Sequence, residues 1–437
     1  MSDGLRIELS GLFSDRKDAL LSAIAVKGQN DRIDALALLC REVLRGSSLC
    51  FIGGEMHRYD GRCYVVCDRR DVLVCLGNLL VDLGVSPTDV RRMSDMPLGV
   101  VSERSFVRSG AIAFENGVLH PDGSFVEGFS SSEPVTEVLP YAYDASASCP
   151  LWESFLCEVM PDDRARMVLQ EFLGSCYVDR EAMSIEKFAI FLGKGANGKS
   201  VIREVVSRVM GRSNVSAYDA EQITRQEMLP YLIGKRINFA SDMKVTAAFD
   251  SALKALASGQ EVVGRKIYGE PVVVKAPPLV FSMNSLPPFR DTSDAFFRRV
   301  LLFSFGVVIP EERRDASLAT RIADAESAGV FSWIMAGRER LLASGGKFTT
   351  CDSMDRELEL LRSGVTSSEY PVKDYLEGKG YSLRPVYEGQ PFTLVSQNEI
   401  DLGMRSTVSR YMITAELRRF GVKTFRSKEL FYKLYHR

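Results

Sequence analysis

One stretch, KFAIFLGKGANGKSVIREVVSRVMG (187–211), restricts the possible folds more than any other part of the chain. Its centre, Gly193-x4-Gly198-Lys199-Ser200, fits the phosphate-loop pattern. That pattern carries meaning only between a strand and a helix, and the flanks supply both. Phe188 to Leu192 is an apolar run of strand length. Val201, Ile202, Val205, Val206, Val209 and Met210 then recur at helical spacing until Gly211 ends the helix. Glycines let the backbone wrap closely and aim N–H groups at phosphate beside the positive end of the following helix. Gly193, Gly195, Asn197, Gly198, Lys199 and Ser200 are therefore the candidate nucleotide cradle. Lys199 is expected to reach the β/γ-phosphates and the Ser200 hydroxyl to ligate Mg²⁺. A phosphate loop alone leaves kinase, switch and motor open.

Three further segments bear on that choice. LIGKRINFASDM puts Ile237 to Ala240 on a short buried strand ending in Ser241-Asp242. A carboxylate there can hold the water shell of Mg²⁺ and position an attacking water, which favours Asp242 over Asp250. PPLVFSMNSLPPF is a second strand, Leu279 to Met283, ending in Asn284. An amide at that point can orient a hydrolytic water, although Asn is also a common turn residue. DTSDAFFRRVLLFSF places Arg298-Arg299 ahead of a third apolar strand. Paired arginines opening a strand are commonly solvated. An arginine supplied across a subunit interface, however, is worth roughly 10³–10⁵ in phosphoryl-transfer rate.

Strands and helices alternate from beyond Val178 to about residue 310, the signature of an α/β core around a largely parallel sheet. The expected blocks are an N-terminal α/β region (1–148), a helical linker subdomain (149–186), the phosphate-loop core (187–345) and a basic C-terminal unit (346–437). Residues 1 to about 48 read as helical, with Asn30 or Asp31 capping NDRIDALALLCREVLRG and Gly46 closing it. A hairpin is expected to turn at Asp60-Gly61. Residues 110–148 read as short strands, and 152–178 as two helices separated by Pro161-Asp162-Asp163.

With 55 basic and 57 acidic side chains the net charge is −2, so any nucleic-acid contact has to come from local clusters. The tail from Asp401 is one: nine Lys/Arg against three acids give +6 over 37 residues. The most apolar run, VLLFSFGVVI, is about half of the ~20 residues that a bilayer crossing requires, and the N-terminus shows no secretory pattern. The nine cysteines are scattered, which fits reduced thiols and a cytoplasmic protein without a membrane role. Cys63, Cys67, Cys75 and His57 lie near one another in sequence, but their spacing suits neither a zinc ribbon nor a finger.

Taken in this order, GKGANGKS, GKRINFASD, PPLVFSMNSLPPF and FFRRVLLFSF resemble superfamily 3 helicases, the AAA+ replication helicases of viruses, phages and plasmids. The branch they look most like includes the poxvirus and phage or plasmid primase–helicases. The resemblance extends to the helical approach CPLWESFLCEVMPDDRARMVLQEFLG and, more loosely, to residues 50–145. It implies a phosphate-loop AAA+ core, ATP and Mg²⁺ as cofactors, and a hexameric ring with the nucleotide between subunits. Lys199 and Ser200 would bind ATP and Mg²⁺, Asp242 would be the second acidic residue, and Asn284 the sensor. Arg299, or else Arg298, would be the finger reaching the neighbouring site. Members often carry Glu where this chain has Asp242, which leaves the hydrolysis rate open.

The resemblance also implies that the hairpin between the acidic and asparagine strands enters the ring's channel and holds single-stranded DNA. Here Arg265, Lys266 and Tyr268 cluster near its tip, the basic-plus-aromatic combination that sequence-independent strand binding uses. The tail TVSRYMITAELRRFGVKTFRSKELFYKLYHR is consistent with a winged helix and a second DNA contact. No Asp-x-Asp pair in strand context marks the N-terminal region, so a primase or polymerase is expected as a separate partner. Two other readings remain: an initiator or loader using ATP as a slow assembly switch, and a small-molecule kinase.

Overall fold

The computed structural model describes residues 2–52, 55–93, 110–133, 135–241, 247–267, 269–284, 294–362, 371–383, 392–403, 413–414, 417–418, 420, 422–426 and 430–436. The chain divides into two compact units, Met1–Asp144 and Ala145–Arg437.

The first unit opens with helices α1 (Ser2–Ser14), α2 (Lys17–Ile24) and α3 (Gln29–Arg45). Ile33, Leu36, Cys40, Val43 and Leu44 share the buried face of α3. Its N-cap is Gly28, a correction to the expected Asn30 or Asp31. The Asp31 carboxylate instead folds back over Gly28, where a Cβ would otherwise stand, while Gly46 closes the helix as expected. Strands β1 (Leu49–Ile52), β2 (Glu55–Tyr59) and β3 (Tyr64–Val66) pair antiparallel in that order. The β2–β3 turn takes four residues rather than two. Asp60 Oδ1 accepts the backbone N–H of both Arg62 (2.8 Å) and Cys63 (2.9 Å), which draws them into the loop. Helices α4 (Arg69–Asp82) and α5 (Pro87–Met93) pack into the helical core. A second small sheet of β4 (Ile112–Phe114), β5 (Gly117–Leu119), β6 (Phe125–Glu127) and β7 (Val138–Leu139) has the order β6-β5-β4-β7.

The second unit begins with α6 (Pro150–Val159) and α7 (Asp163–Gly174), the latter capped by Asp162. The alternation that follows runs β8 (Phe188–Leu192), α8 (Lys199–Val209), β9 (Val215–Ser216), β10 (Ile237–Ser241) and α9 (Ala247–Ala257). The hairpin β11 (Glu261–Arg265) and β12 (Pro271–Lys275) comes next, then β13 (Leu279–Met283), α10 (Asp294–Phe297), β14 (Val300–Ser304) and α11 (Leu318–Ala343). Five of these strands form one parallel sheet, β14-β8-β13-β10-β9. Phe188, Ile190, Phe281, Val300 and Leu302 pack on one face with Leu253 and Leu256 of α9 and Phe296 of α10. Their neighbours Ala189, Phe191, Phe239 and Phe303 are equally buried, as are Ile202, Val205, Val206 and Val209 of α8. A parallel sheet covered on both faces reads as near-continuous apolar runs, as β8 and Val300–Phe303 of β14 do, while β13 is interrupted by Ser282 and β10 by the buried Asn238.

Helix α11 crosses α7 with almost no space between backbones. A Cβ on Gly337 would lie 2.2 Å from Gln170 O, and one on Gly174 would lie 2.3 Å from Arg338 N. Two buried carboxylates tie α11 to its neighbours. Glu171 of α7 accepts from Arg340 Nε, Thr349 N and Thr349 Oγ1. Glu326 of α11 accepts the N–H groups of Leu151 (2.9 Å) and Trp152 (3.0 Å), donors at the start of α6 that have no partner within that helix.

Past α11 lie α12 (Asp352–Arg362), α13 (Pro371–Gly378), β15 (Tyr381–Ser382), β16 (Phe392–Ser396), α14 (Gln397–Gly403), β17 (Thr424–Arg426) and β18 (Leu430–His436). Strand β18 pairs antiparallel with β15, β16 and β17, and Tyr432 and Leu434 join Val372, Leu376 and Ile400 in a separate small core. Among the described residues no helix is long and apolar enough to cross a membrane. Glu326→Ala leaves the buried Trp152 N–H and the partly buried Leu151 N–H without their acceptor, and we expect a loss of about 2–4 kcal/mol, read as a lower urea midpoint. Glu326→Gln, which keeps one acceptor oxygen, should lose less.

Candidate functional site

The loop between β8 and α8 owes its path to two glycines. Gly198 has φ +88°, and a Cβ there would meet Phe155 and Val159 of α6 at under 3 Å. At Gly193 a Cβ would lie 2.2 Å from Asn197 Nδ2 and 2.6 Å from Phe305 O. Any side chain at either position would push the loop off its neighbours. Asn197 is buried and donates from Nδ2 to Phe305 O (3.2 Å), so the loop is tied from within as well. Lys199 is mostly buried, and its ammonium donates to Gly193 O and to Asn197 Oδ1 (3.0 Å). Burial holds its pKa below the usual lysine value. An ammonium resting on carbonyl dipoles rather than on a carboxylate remains open to a stronger anionic partner.

The loop opens into a cavity of ≈ 280 Å³. Gly195, Asn197, Gly198, Lys199 and Ser200 line it from one side, and Asn284 from another. The sheet explains how Asn284 reaches it. Strand β13 lies between β8 and β10, with Met283 opposite Leu192 and Ser282 opposite Ser241. The loop, Asn284 and the end of β10 therefore lie along one carboxyl edge of the sheet, where open α/β sheets bind their ligands. Asp242 follows the last residue of β10 and lies outside the described residues, as does Tyr268.

The arginine pair stands elsewhere. Val300 is opposite Phe188, so Arg298 and Arg299 lie at the amino edge of the sheet, one five-residue strand (about 17 Å) from the loop. Arg299 is buried and turned inward. It pairs with Glu186 (2.8 Å) and donates to Ser258 Oγ (3.3 Å) and Ala295 O. Arg298 is exposed and shares Glu186 at 3.2 Å. At the hairpin, β11 and β12 pair from Glu261↔Lys275 to Arg265↔Pro271. Arg265 donates to Gly269 O (2.7 Å), and the Lys266 ammonium lies 5.2 Å from the centre of the Tyr231 ring. Neither hairpin cation lies in the cavity that Lys199 and Ser200 line.

Sequence reasoning missed the far wall of the cavity. Phe155 and Glu158 of α6 and Ile309, Arg313, Arg314 and Asp315 beyond β14 also line it. The only hint in the sequence was a basic pair following an apolar strand, IPEERRD. Nothing local says that this segment returns to the loop. It does so because Phe305 N donates to Leu192 O (2.7 Å) and Ile309 N to Ala196 O (2.8 Å). Among the described residues no cluster of three or more His, Cys, Asp or Glu side chains could hold a metal ion, and all nine cysteines are free thiols.

Residues 191–299 match the model of a family described as a family of unknown function (DUF5906). Over 207 residues, 44% of this chain, the sequence is 23% identical to "Putative helicase L207/L206" of Acanthamoeba polyphaga mimivirus. The chain spans about a fifth (21%) of that protein's length. Among solved structures, the A-form apo structure of the NrS-1 C-terminal region matches over 91% of this chain and 98% of its own, with a TM-score of 0.47 and 12% identity. The apo structure of NrS-1 C-terminal region (305–718) matches over 92% of this chain and 99% of its own, with a TM-score of 0.46 and 10% identity.

Proposed function

We propose that this chain is an ATP-dependent DNA helicase of a phage, plasmid or other mobile element. In this reading a superfamily 3 AAA+ core works as a homo-hexameric ring on single-stranded DNA during replication. The observation that carries the proposal is the strand–loop–helix that presents Lys199 and Ser200 to an open cavity shared with Asn284. The sheet order, with Asn284 between the loop and the strand leading to Asp242, supports it. So does the similarity to a mimivirus protein described as a helicase.

Lys199 exchanges its loop carbonyl for the β/γ-phosphates of ATP, and Asn284 orients the attacking water. Ser200 and Asp242 would hold Mg²⁺, which would supply positive charge against the phosphates. The inward ties of Arg299 support Arg298 as the residue that reaches a neighbouring subunit's nucleotide. Arg265, Lys266 and Tyr268 engage the strand in the channel. The small antiparallel sheet with its helices near the C-terminus acts as a winged-helix-like second DNA contact, and a separate primase or polymerase is the partner.

ATP hydrolysis measured with and without single-stranded DNA tests the motor. Several-fold stimulation is expected, with Lys199→Ala lowering turnover by about a hundredfold or more. Turnover indifferent to DNA would replace the motor with the loader or the kinase reading. The two arginines should separate cleanly. Arg299→Ala leaves Glu186 and Ser258 without their buried partner and should lower stability by about 3–5 kcal/mol in denaturant melts. Arg298→Ala should change stability by no more than about 0.5 kcal/mol while depressing ATPase activity only where the protein is assembled.

A further inference from the structure

We propose that the segment following β14 is a nucleotide-binding element acting within its own subunit. Arg313 leaves its ion pair with Glu158 to bind the triphosphate at the phosphate loop, and Glu158 is the counter-charge that holds it when no nucleotide is bound. This rests on the nucleotide reading of the loop and adds to it a residue pair that none of the sequence motifs includes.

Three observations carry the inference. First, the segment cannot drift from the loop. Main-chain bonds from Phe305 N to Leu192 O and from Ile309 N to Ala196 O fasten it on both sides of the Asn197 side-chain bond to Phe305 O. Second, Arg313 lines the same cavity as Lys199 and Ser200. Its Nη2 lies 2.6 Å from Glu158 Oε1, and the two side chains are 65% and 37% exposed. An ion pair so open to water contributes little to stability, so giving it up costs little. A guanidinium gains more from phosphate, which it can grip with two parallel N–H bonds. Third, the charges in the cavity call for the exchange. Glu158 faces the space that a polyanion would fill. The other carboxylate there, Asp315, is already engaged by Ser317 N (2.8 Å) and Arg321 (3.0 Å). Neighbouring Arg314 is anchored through Nε to Ile309 O (3.0 Å) and stays with the segment. Arg313 is thus the cation whose partner is replaceable.

The test titrates the full-length chain with a fluorescent ATP analogue and Mg²⁺, comparing wild type, Arg313→Ala, Glu158→Gln and Lys199→Ala. Arg313→Ala and Glu158→Gln break the same ion pair, so a merely structural role would move both in the same direction. We expect opposite signs: Arg313→Ala weakens binding by about tenfold, whereas Glu158→Gln tightens it several-fold. Thermal midpoints of the two variants should stay close to wild type. Equal weakening by both variants, or no change in either, overturns the exchange while leaving the loop's role intact. A wild type that binds no nucleotide, or binds it as well after Lys199→Ala, overturns the nucleotide reading and this inference with it.

Discussion

The contact on which the second unit's site depends is the Glu326 carboxylate seated on the first turn of α6. A helix start buried without a side-chain cap would leave N–H groups unsatisfied, and Cys149, the N-cap residue, supplies no side-chain bond. Glu326 takes two of those donors at 2.9 and 3.0 Å, and its negative charge matches the positive end of the α6 dipole. The consequence reaches the phosphate loop, because the other end of α6 carries Phe155, Glu158 and Val159. Phe155 and Val159 stand over Gly198 so closely that no side chain fits there. The position of α11 therefore sets α6, α6 sets one wall of the loop, and β14 with its following segment sets the other. In the proposed reading the loop's backbone N–H groups have to be held in place for phosphate, and this packing holds the loop.

The same parts hold their cations in different ways. Lys199 rests on a carbonyl and an amide oxygen, Arg313 on a water-exposed carboxylate, and Arg299 on a carboxylate, a hydroxyl and a carbonyl in a buried setting. These arrangements differ in what it costs to leave them. An exposed pair is screened and contributes up to about 1 kcal/mol, whereas removing one partner of a buried pair costs about 3–5 kcal/mol. Lys199 and Arg313 are thereby available to an anion, and Arg299 is committed to holding the amino edge of the sheet.

How much of this could be read in advance depended on how local its cause was. Phe188–Leu192 and Leu279–Met283 match the strands drawn from sequence residue for residue, because a strand buried on both faces leaves a run that is apolar throughout, as in the first, or broken at one position, Ser282, as in the second. The Pro161–Asp163 break and the end of α3 at Gly46 were equally legible, since caps and breakers act over a few residues. The Gly28 cap and the four-residue turn at Asp60 were not, because in each an Asp side chain closes on a backbone in a way that competes with the simpler signal. Within the site, the loop and Asn284 were found from motif and spacing. Glu158, Arg313 and Glu326 were invisible, because each matters through a partner more than a hundred residues away, and no periodicity encodes such a pairing.

The sheet also limits what the arginine pair can do. Arg298 and the phosphate loop sit at opposite ends of adjacent strands β14 and β8, about 17 Å apart, which is beyond the span of an arginine side chain. No rotamer change within one subunit closes that distance, and moving the strand would break a ladder running from Val300↔Phe188 to Ser304↔Leu192. Arg298 can meet a bound triphosphate only if the amino edge of one sheet faces the carboxyl edge of another. A head-to-tail contact of that kind is heterologous, and it generates a closed ring when its rotation closes and a filament when it does not. In the proposed reading, in which Arg298 acts on a nucleotide at the loop, the polarity of the parallel sheet requires a repeated head-to-tail interface, because a cation at the amino edge and the loop at the carboxyl edge can meet on one nucleotide only across it.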